Sequence, residues 1–325
     1  MKKILITGGC GFIGSHLAEY LVELGYNIKV FDRYNSENNW GWLEKSKLKK
    51  EIEVVLGDIR DFDSVINASK GCNNILHLAA LIGIPYSYIS PLAYIKTNIE
   101  GTYNILECTK QGSFENVIIT STSEVYGSGI SFPMNENHPI VGQSPYSASK
   151  IGADQISLSY SKSFNLPIKI LRPFNTFGPR QSARAIIPTI FSQAYDNKTI
   201  NVGNTHTIRD FTYVKDLCRA YEKLMKFKRK NSYGKIFNVG NNKEITIDEL
   251  ILQIQKITGT NKKVVSQKKR QRLNSSEVNK LRCDYSEFNN LTSWHPRYSL
   301  KSGLIEFNNW FMNYKDIYKP LIYNV

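Results

Sequence analysis

The strongest constraint on the fold is a short apolar run followed by three spaced glycines near the start of the chain. Residues 3–6 predict a buried strand, and the glycines after it have the spacing Gly8-x-x-Gly11-x-x-Gly14. Gly8 permits a tight turn, Gly11 lets backbone N–H groups approach an anion, and Gly14 lets the next helix, predicted from residue 15 to about 24, pack closely. The pattern indicates a turn that binds a dinucleotide.

A carboxylate follows the second predicted strand, which spans residues 28–31. Asp32 is placed to accept both ribose hydroxyls of an adenosine, which favours NAD over NADP. The neighbouring Arg33 could hold a 2′-phosphate, but that phosphate would face Asp32 at short range, and like charges repel. NAD is therefore the expected cofactor, with Phe12 and Ile13 beside it in the glycine turn.

Composition and length place the chain among ordinary globular α/β proteins. It has 325 residues, 41% of them hydrophobic, and no apolar run approaches the roughly 18 residues of a membrane span. The sequence begins directly in the first predicted strand, without a cleavable leader, so a cytoplasmic location and no membrane partner are expected. Five widely spaced cysteines indicate neither a disulfide framework nor a metal site. We expect a doubly wound parallel sheet of the Rossmann type with a smaller C-terminal substrate-binding α/β domain.

The formal net charge of +14 raises the question of nucleic-acid binding. The lysines are scattered along the chain, and the dense basic run is confined to residues 262–272. A solvated surface strip accounts for that run, and a nucleotide diphosphate would need far fewer charges than a nucleic acid. No nucleic-acid partner is expected.

Two further strands are predicted over residues 53–56 and 74–77, and a long helix over residues 91–111. Small residues after the second of these strands leave room for a cofactor. The loop at 34–43, which precedes the first of these strands, carries two tryptophans. Two interpretations of this loop stay open: a packed surface loop, or a wall near the ligand. The predicted cofactor contacts in this part of the chain are Asp58, Ile59, Ala79, Ala80 and Asn98.

A fifth strand, predicted over residues 116–121, ends in Ser121-Thr-Ser-Glu-Val-Tyr-Gly127. Ligands of open α/β sheets bind at the carboxyl ends of the strands, so Thr122, Ser123 and Glu124 are placed to reach a substrate. A turn or capping role is the alternative for this segment.

The next predicted helix spans residues 146–164 and carries Tyr146 and Lys150 one turn apart on the same face. A nearby ammonium and a positive nicotinamide ring would favour the phenolate of Tyr146, making it a base. Lys150 can also bind the nicotinamide ribose. The pair is therefore expected to serve both catalysis and cofactor binding.

These motifs resemble those of the extended short-chain dehydrogenase/reductases that act on nucleotide-activated sugars. The resemblance also rests on Leu171-Arg-Pro-Phe-Asn-Thr-Phe-Gly-Pro-Arg180 and on Arg209-Asp-Phe-Thr-Tyr-Val-Lys-Asp216. Within that superfamily, residues 34–43 and Leu81-Ile-Gly-Ile-Pro-Tyr-Ser-Tyr88 are most similar to the NAD-dependent 4,6-dehydratases of bacterial legionaminic-acid pathways.

The resemblance implies an organisation and a set of substrate contacts. Residues 1–178, with a returning segment at about 208–240, would form the NAD-binding domain, and residues 179–207 and 241–325 the nucleotide-sugar domain. A homodimer is implied through the helices at 91–111 and 146–164. The implied substrate-binding residues are Ile84, Asn175, Arg180, Ile187, Arg209 and Arg272.

The implied reaction is 4,6-dehydration of a hexose carried on a nucleotide. The resemblance to the legionaminic-acid-pathway enzymes implies that this hexose is an N-acetylglucosamine carried on UDP or GDP. Tyr146 would take the proton of the 4-hydroxyl, Thr122 would bind the 4-oxygen, and Glu124 would take the proton from C5 before water leaves C6. Many relatives have an aspartic acid where this chain has Ser123, which leaves the acid for the departing hydroxyl open. GDP-mannose 4,6-dehydratases are similar in having Thr-Ser-Glu.

Three other functions are compatible with parts of the pattern. UDP-glucuronate decarboxylases share the Ser-Thr-Ser-Glu-Val-Tyr-Gly string, and a 4-epimerase would use Tyr146 but leave Glu124 idle. A non-catalytic NAD-binding sensor would need only the glycine turn and Asp32. The joint presence of Tyr146, Lys150, Thr122 and Glu124 argues against the sensor.

Overall fold

The computed structural model of the protein describes residues 2–323, except for the side chain of Asn274. Strands and helices alternate along this part of the chain. Its strands are β1 (Lys3–Thr7), β2 (Asn27–Arg33), β3 (Ile52–Gly57), β4 (Asn74–His77), β5 (Asn116–Thr120), β6 (Ile168–Pro173), β7 (Thr176–Phe177), β8 (Thr199–Val202), β9 (Ile208–Arg209), β10 (Thr212–Tyr213), β11 (Lys235–Val239), β12 (Ile245–Thr246) and β13 (Lys263–Ser266).

The helices lie between these strands. They are α1 (Phe12–Glu23), α2 (Phe62–Ser69), α3 (Ile84–Ile89), α4 (Pro91–Tyr94), α5 (Gly101–Gln111), α6 (Pro145–Phe164), α7 (Ile186–Asp196), α8 (Val214–Lys226), α9 (Ile247–Thr258), α10 (Ser286–Thr292) and α11 (Leu300–Met312). Within the described residues, no helix is both long enough and apolar enough to cross a lipid bilayer.

Seven of the strands form one parallel sheet in the order β11-β6-β5-β4-β1-β2-β3. The order runs outward in both directions from β1, so the carboxyl ends of β1 and β4 flank the point where the winding reverses. Ligands bind at this point in open α/β sheets. The predicted doubly wound parallel sheet is confirmed.

Side chains that alternate along the strands fill two apolar layers, one on each face of the sheet. On β1, Ile4 and Ile6 pack in one layer with Leu17 of α1, whereas Leu5 packs in the other with Ile105 of α5. Burial on both faces explains why the strands read as continuous apolar runs.

The second part of the chain extends the first of these layers. Phe191 of α7, Leu250 of α9 and Phe307 of α11 are buried in it, and Phe191 and Phe307 have ring centroids 4.9 Å apart. Two-stranded sheets complete this part: β8 with β13, β9 with β12 and β7 with β10.

Two predicted boundaries are wrong. Helix α1 begins at Phe12 rather than Ser15, because Gly11 has extended backbone and already accepts the first helical hydrogen bond, from the Ser15 amide. Strand β2 continues through Asp32 to Arg33, since both residues pair with β3.

The predicted helix over 91–111 is continuous but not uniform. Between α4 and α5 the chain forms one π-helical stretch, Ile95–Glu100, which contains the buried Asn98. π-Helical turns frequently occur at functional sites, because they shift a side chain relative to the helix on either side.

The loop with the two tryptophans packs on the C-terminal helix. The Trp42 ring lies edge-on to Trp310, with centroids 5.5 Å apart, and Trp40 packs against the main apolar layer. The loop is therefore packed on the protein. The Trp42 amide also donates to the Cys10 carbonyl of the glycine turn at 3.1 Å, so a wall near the ligand stays a prediction.

Candidate active site

The glycine turn has the shape that a dinucleotide requires. Gly8 has a φ of +71°, and a Cβ on it would lie 2.9 Å from the backbone nitrogen of Ala79, while a Cβ on Gly14 would overlap the carbonyl oxygen of Gly8. Gly11 caps α1 and leaves its first amides free of a covering side chain. Side chains at these glycine positions would fill the space in front of the turn. Because the glycines leave that space open beside the first amides of α1, the turn fits the pyrophosphate of NAD.

Asp32 lies beside this turn, as predicted. Its carboxylate accepts hydrogen bonds from the amides of Cys10 and Arg33, each with a donor–acceptor distance of 2.7 Å. These two backbone donors fix the carboxylate and leave its other lone pairs available. The arrangement suits recognition of ribose hydroxyls, while Arg33 remains exposed.

The two residues predicted to contact the adenine are engaged with the protein. The carboxylate of Asp58 is bound by the Arg60 guanidinium, with Nε 2.9 Å from Oδ1, and this hydrogen bond lowers the pKa of Asp58. The Ile59 side chain is buried, and its carbonyl accepts a hydrogen bond from Asn104. Their role as adenine contacts stays a prediction.

Asn98 is fully buried and joins two walls of the site. Its Oδ1 accepts from the Leu81 amide at 2.9 Å, and its Nδ2 donates to the Leu81 carbonyl at 3.0 Å and to Ser149 Oγ at 2.9 Å. The side chain thereby fixes the loop after Ala79 and Ala80 against α6. The sequence predicted Asn98 at the cofactor but not this clamp.

His77, at the end of β4, was missed by the sequence analysis. Burial lowers its pKa to about 3, so the imidazole is neutral. The Thr102 hydroxyl donates its hydrogen to the Asn98 carbonyl, so the hydroxyl oxygen is free to accept a hydrogen bond from Nε2 of His77. On the other side of the ring, Nδ1 of His77 accepts a hydrogen bond from the Thr7 hydroxyl. The histidine thus joins the strand beside the glycine turn to the π-helical stretch.

Tyr146, Lys150 and Thr122 meet at the carboxyl end of β5. The Tyr146 hydroxyl is hydrogen-bonded to Thr122, and Lys150 Nζ donates to the Thr120 carbonyl at 2.6 Å. Ser144 caps α6, the helix that carries Tyr146 and Lys150. The two side chains are 7% and 3% exposed, so they are largely shielded from water.

The predicted lowering of the Tyr146 pKa depends on the charge of a bound cofactor and stays a prediction. Burial raises the pKa of this phenol, and the nearby charge of Glu124 raises it further. Lys150 directs its ammonium at a backbone carbonyl, and burial lowers its own pKa to about 8. A positive charge from a bound cofactor would be needed to favour the phenolate.

A buried ion pair underlies this cluster and was not predicted. Arg172 of β6 donates to Asp154 from Nε and Nη2, at 3.0 and 2.9 Å, and Ser121 donates to the same carboxylate oxygen at 2.7 Å. Asp154 is one turn beyond Lys150 on α6, and its negative charge opposes the lowering of the lysine pKa.

Glu124 is 8% exposed and lies in the part of the site predicted to bind the sugar, which is called the sugar side below. It lies in the 3₁₀ turn Ser123–Tyr126, which Thr122 caps by accepting from the Glu124 amide. Its two carboxylate oxygens pair with the Arg272 guanidinium, at 3.2 Å from Nη1 and 3.4 Å from Nη2. Nearby, Arg209 pairs with Glu277 at 3.4 Å.

The remaining predicted substrate residues are not all at this cluster. Arg180 pairs with Glu19 of α1 at 2.9 Å, and the Ile187 side chain is 1% exposed within the main apolar layer. Asn175 Oδ1 is buried and has no hydrogen-bond partner in the described part of the chain. Ile84 shares a small apolar cluster with Tyr146.

Comparison with known proteins identifies the family. The family model for GDP-mannose 4,6-dehydratase matches residues 5–307. The chain belongs to the GDP-mannose 4,6-dehydratase family. It is thus a member of the NAD-dependent nucleotide-sugar dehydratases and epimerases of the short-chain dehydrogenase/reductase superfamily, which confirms the coarser part of the resemblance seen in the sequence.

Relatives of this family member have several activities. A dTDP-D-glucose 4,6-dehydratase of Dictyostelium discoideum is 34% identical over 263 residues, which are 76% of this chain but 60% of that protein. A UDP-N-acetyl-alpha-D-glucosaminuronate decarboxylase of Bacillus cytotoxicus is 31% identical over 95% of this chain and 98% of its own length.

Solved structures show the same range. The dTDP-glucose 4,6-dehydratase DesIV of Streptomyces venezuelae, with NAD and TYD bound, has a TM-score of 0.88 and 27% identity over 98% of this chain and all of its own. A UDP-glucose 4-epimerase of Thermotoga maritima, solved with UDP-glucose, has a TM-score of 0.87 and 27% identity over 96% and 99% of the two chains. Solved structures that are similar to this chain contain NAD, which confirms the predicted cofactor.

Proposed function

We propose that the protein catalyses NAD-dependent 4,6-dehydration of a hexose carried on a nucleoside diphosphate, giving the 4-keto-6-deoxy sugar. The observation that carries this proposal is the placement of Glu124 beside Thr122 and Tyr146. An enzyme that only oxidises and reduces C4 has no use for a carboxylate at that position. The family match and the dTDP-glucose 4,6-dehydratase relatives support the same reaction.

The first step is removal of hydrogen from C4 of the sugar. Tyr146 accepts the proton of the 4-hydroxyl, and Thr122, hydrogen-bonded to that phenol, holds the same oxygen. NAD, when bound, supplies the acceptor for the hydrogen from C4 and later the donor for C6. Lys150 lies one turn beyond Tyr146 on α6, and its ammonium donates to the Thr120 carbonyl at 2.6 Å.

The second step is elimination of water across C5 and C6. The ketone at C4 acidifies the C5 proton, which Glu124 accepts, and the 6-hydroxyl departs as water. Ser123 is 2% exposed and supplies no carboxylic acid. We therefore propose that Glu124 passes the proton it has taken to the departing hydroxyl, so one carboxyl group serves both transfers. A proton from solvent then adds to C5 while hydrogen is returned to C6, which gives the 4-keto-6-deoxy sugar.

Purified protein should be incubated with NAD and, separately, with UDP-N-acetylglucosamine, GDP-N-acetylglucosamine and dTDP-glucose. Mass spectrometry of the products tests the reaction and the substrate together. Loss of one water from one of the sugar nucleotides supports the proposal. We propose an N-acetylglucosamine nucleotide as substrate, on the resemblance to the legionaminic-acid-pathway dehydratases.

Decarboxylation of a uronic acid nucleotide is the second candidate. The Arg272 guanidinium beside Glu124 would suit the C6 carboxylate of such a substrate, and a decarboxylase is among the relatives. UDP-glucuronate belongs in the same incubation, where loss of carbon dioxide rather than water would select this candidate.

We further propose that the protein is a homodimer and works in the cytoplasm. Apolar side chains are exposed along the π-helical stretch and its neighbouring helices, including Leu92, Ile95, Tyr103 and Phe164. Burying such a face against its copy would form a four-helix bundle. All five cysteines are free thiols, as expected for a reducing compartment. Light scattering at micromolar concentration tests the dimer.

A further inference from the structure

The carboxylate assigned to proton abstraction is already occupied by a guanidinium. Both oxygens of Glu124 accept from Arg272, and their side chains are only 10% and 23% exposed. A carboxylate with both oxygens engaged in this way has fewer free lone pairs with which to accept a carbon-bound proton. The contact therefore opposes the role that the proposed function gives to Glu124.

Arg272 is carried by a segment that crosses the sugar side of the site. This segment, residues 271–278, is called the strap below. Ser276 of the strap is hydrogen-bonded to Tyr88 of α3, and the Ser275 carbonyl accepts from Gln143 at 3.3 Å. The strap is thereby anchored to α3 and to the segment just before α6, while Arg272 itself reaches Glu124.

A second guanidinium lies close to the first. Burial and the neighbouring charge of Arg272 lower the pKa of Arg209, which pairs with Glu277 on the strap. Each planar guanidinium presents a fork of N–H donors that matches phosphate oxygens, so two such groups in one cluster suit a diphosphate.

The charges of this cluster are balanced before any ligand binds. Arg209 and Arg272 carry two positive charges, and Glu124 and Glu277 carry two negative ones. A diphosphate entering this cluster gains little from guanidinium groups that stay on their glutamates. It gains more when Arg272 leaves Glu124, because one carboxylate contact is then replaced by contacts with a doubly charged group.

We infer that Arg272 is exchanged between Glu124 and the diphosphate of the substrate, so that binding of the nucleotide releases the base. Without the nucleotide, the guanidinium holds Glu124 in place and occupies its oxygens. When the diphosphate takes the guanidinium, the oxygens of Glu124 become free to accept the C5 proton. The inference rests on the proposed function, since it concerns the group that removes this proton.

Competition between two partners for one guanidinium gives a binding test that needs no turnover. Holoenzyme with NAD is titrated with UDP, dTDP and GDP by calorimetry, and the tightest of the three is used for all variants. Glu124→Gln removes the competing carboxylate charge, so we expect about five-fold tighter binding. Arg272→Gln removes the shared group and should weaken binding at least ten-fold.

The double variant separates exchange from a general charge effect. In the Arg272→Gln background, Glu124→Gln should leave the affinity unchanged, because the guanidinium that pairs with Glu124 is already gone. Arg270→Gln is the matched control: it removes a guanidinium two positions away that bonds Gln267 and lies over the Tyr323 ring. Its affinity should equal that of the wild type.

Three results would overturn the inference. The first is that Glu124→Gln binds the diphosphate no more tightly than wild type, and the second is that its tightening persists in the Arg272→Gln background. Equal weakening by Arg270→Gln and Arg272→Gln would show a general basic surface. Because epimerases, decarboxylases and dehydratases all bind nucleoside diphosphates, the dehydration assay can fail while this exchange is observed, and the reverse.

Discussion

The cofactor side and the sugar side of the site are held by different kinds of contact. On the cofactor side, glycines and backbone amides set the positions, as where the amides of Cys10 and Arg33 bind Asp32. On the sugar side, long side chains pair with one another, as where Arg272 binds Glu124 across 148 positions of sequence. Backbone contacts persist when a ligand binds, whereas paired side chains can change partners. In the exchange inferred above, the cofactor side therefore keeps its contacts while the sugar side changes partners.

The largest effect is expected at Tyr146, where the two sides meet. Tyr146→Phe removes the group that accepts the 4-hydroxyl proton, so the first step should slow by about 10³-fold. Stopped-flow absorbance at 340 nm measures this step. Tyr160→Phe, on the same helix but bonded to Glu107, is the control and should react at the wild-type rate. A variant at Tyr146 that reacted as fast as wild type would remove the phenol from the mechanism.

A smaller effect is expected from removing the fixed carboxylate of the cofactor side. Asp32→Ala should weaken NAD binding by about 10- to 100-fold, because hydrogen bonds from ribose hydroxyls to a carboxylate are lost, and should reduce discrimination against NADP. Titration with both cofactors measures this. Glu53→Ala on β3, a carboxylate that pairs with Lys29, is the control. Equal NAD and NADP affinities in the wild type would contradict the assignment.

The smallest effect is on stability and comes from Lys150. Burial lowers its pKa to about 8, below the ordinary lysine value of about 10.4. Between these values the unfolded chain binds the proton that the folded chain has lost, so the free energy of unfolding rises with pH in this window. Below pH 8 both states are protonated, and the full cost of burying the ammonium remains.

Lys150→Met should therefore raise the melting temperature by about 2–4 °C at pH 7 in the absence of NAD, although it abolishes activity. The gain should shrink as the pH rises toward 10. Scanning calorimetry over this range measures both. Lys162→Met, at an exposed position of the same helix, should show no such pH dependence. A lower melting temperature for Lys150→Met at pH 7 would mean that the bond to Thr120 outweighs the burial cost.

Local sequence was enough to predict the glycine turn and the place of Asp32 beside it. The spacing of Gly8, Gly11 and Gly14 dictates a turn, and Asp32 follows within one strand, so the whole unit is encoded in 30 consecutive residues. Tyr146 and Lys150 are likewise adjacent on one helical turn. Such short-range patterns are predictable because the spacing of the residues within one turn or one helix determines their relative positions.

The contacts of the sugar side could not be predicted in this way. The sequence indicated that Glu124 and Arg272 belong to the site but not that they pair, because their distance depends on the path of the strap. The same holds for the Arg172–Asp154 pair and for Arg180, which lies against α1. The division into a cofactor domain and a substrate domain stays a prediction.

A single-turnover experiment with Glu124→Gln tests the central claim most directly, which is that Glu124 on the sugar side carries out the elimination of water after C4 has been oxidised. The account predicts that absorbance at 340 nm rises as in wild type, that a 4-keto sugar accumulates, and that loss of water slows by about 10²- to 10⁴-fold. In D₂O, the wild-type product should carry deuterium at C5. Loss of water by Glu124→Gln at the wild-type rate would contradict the account.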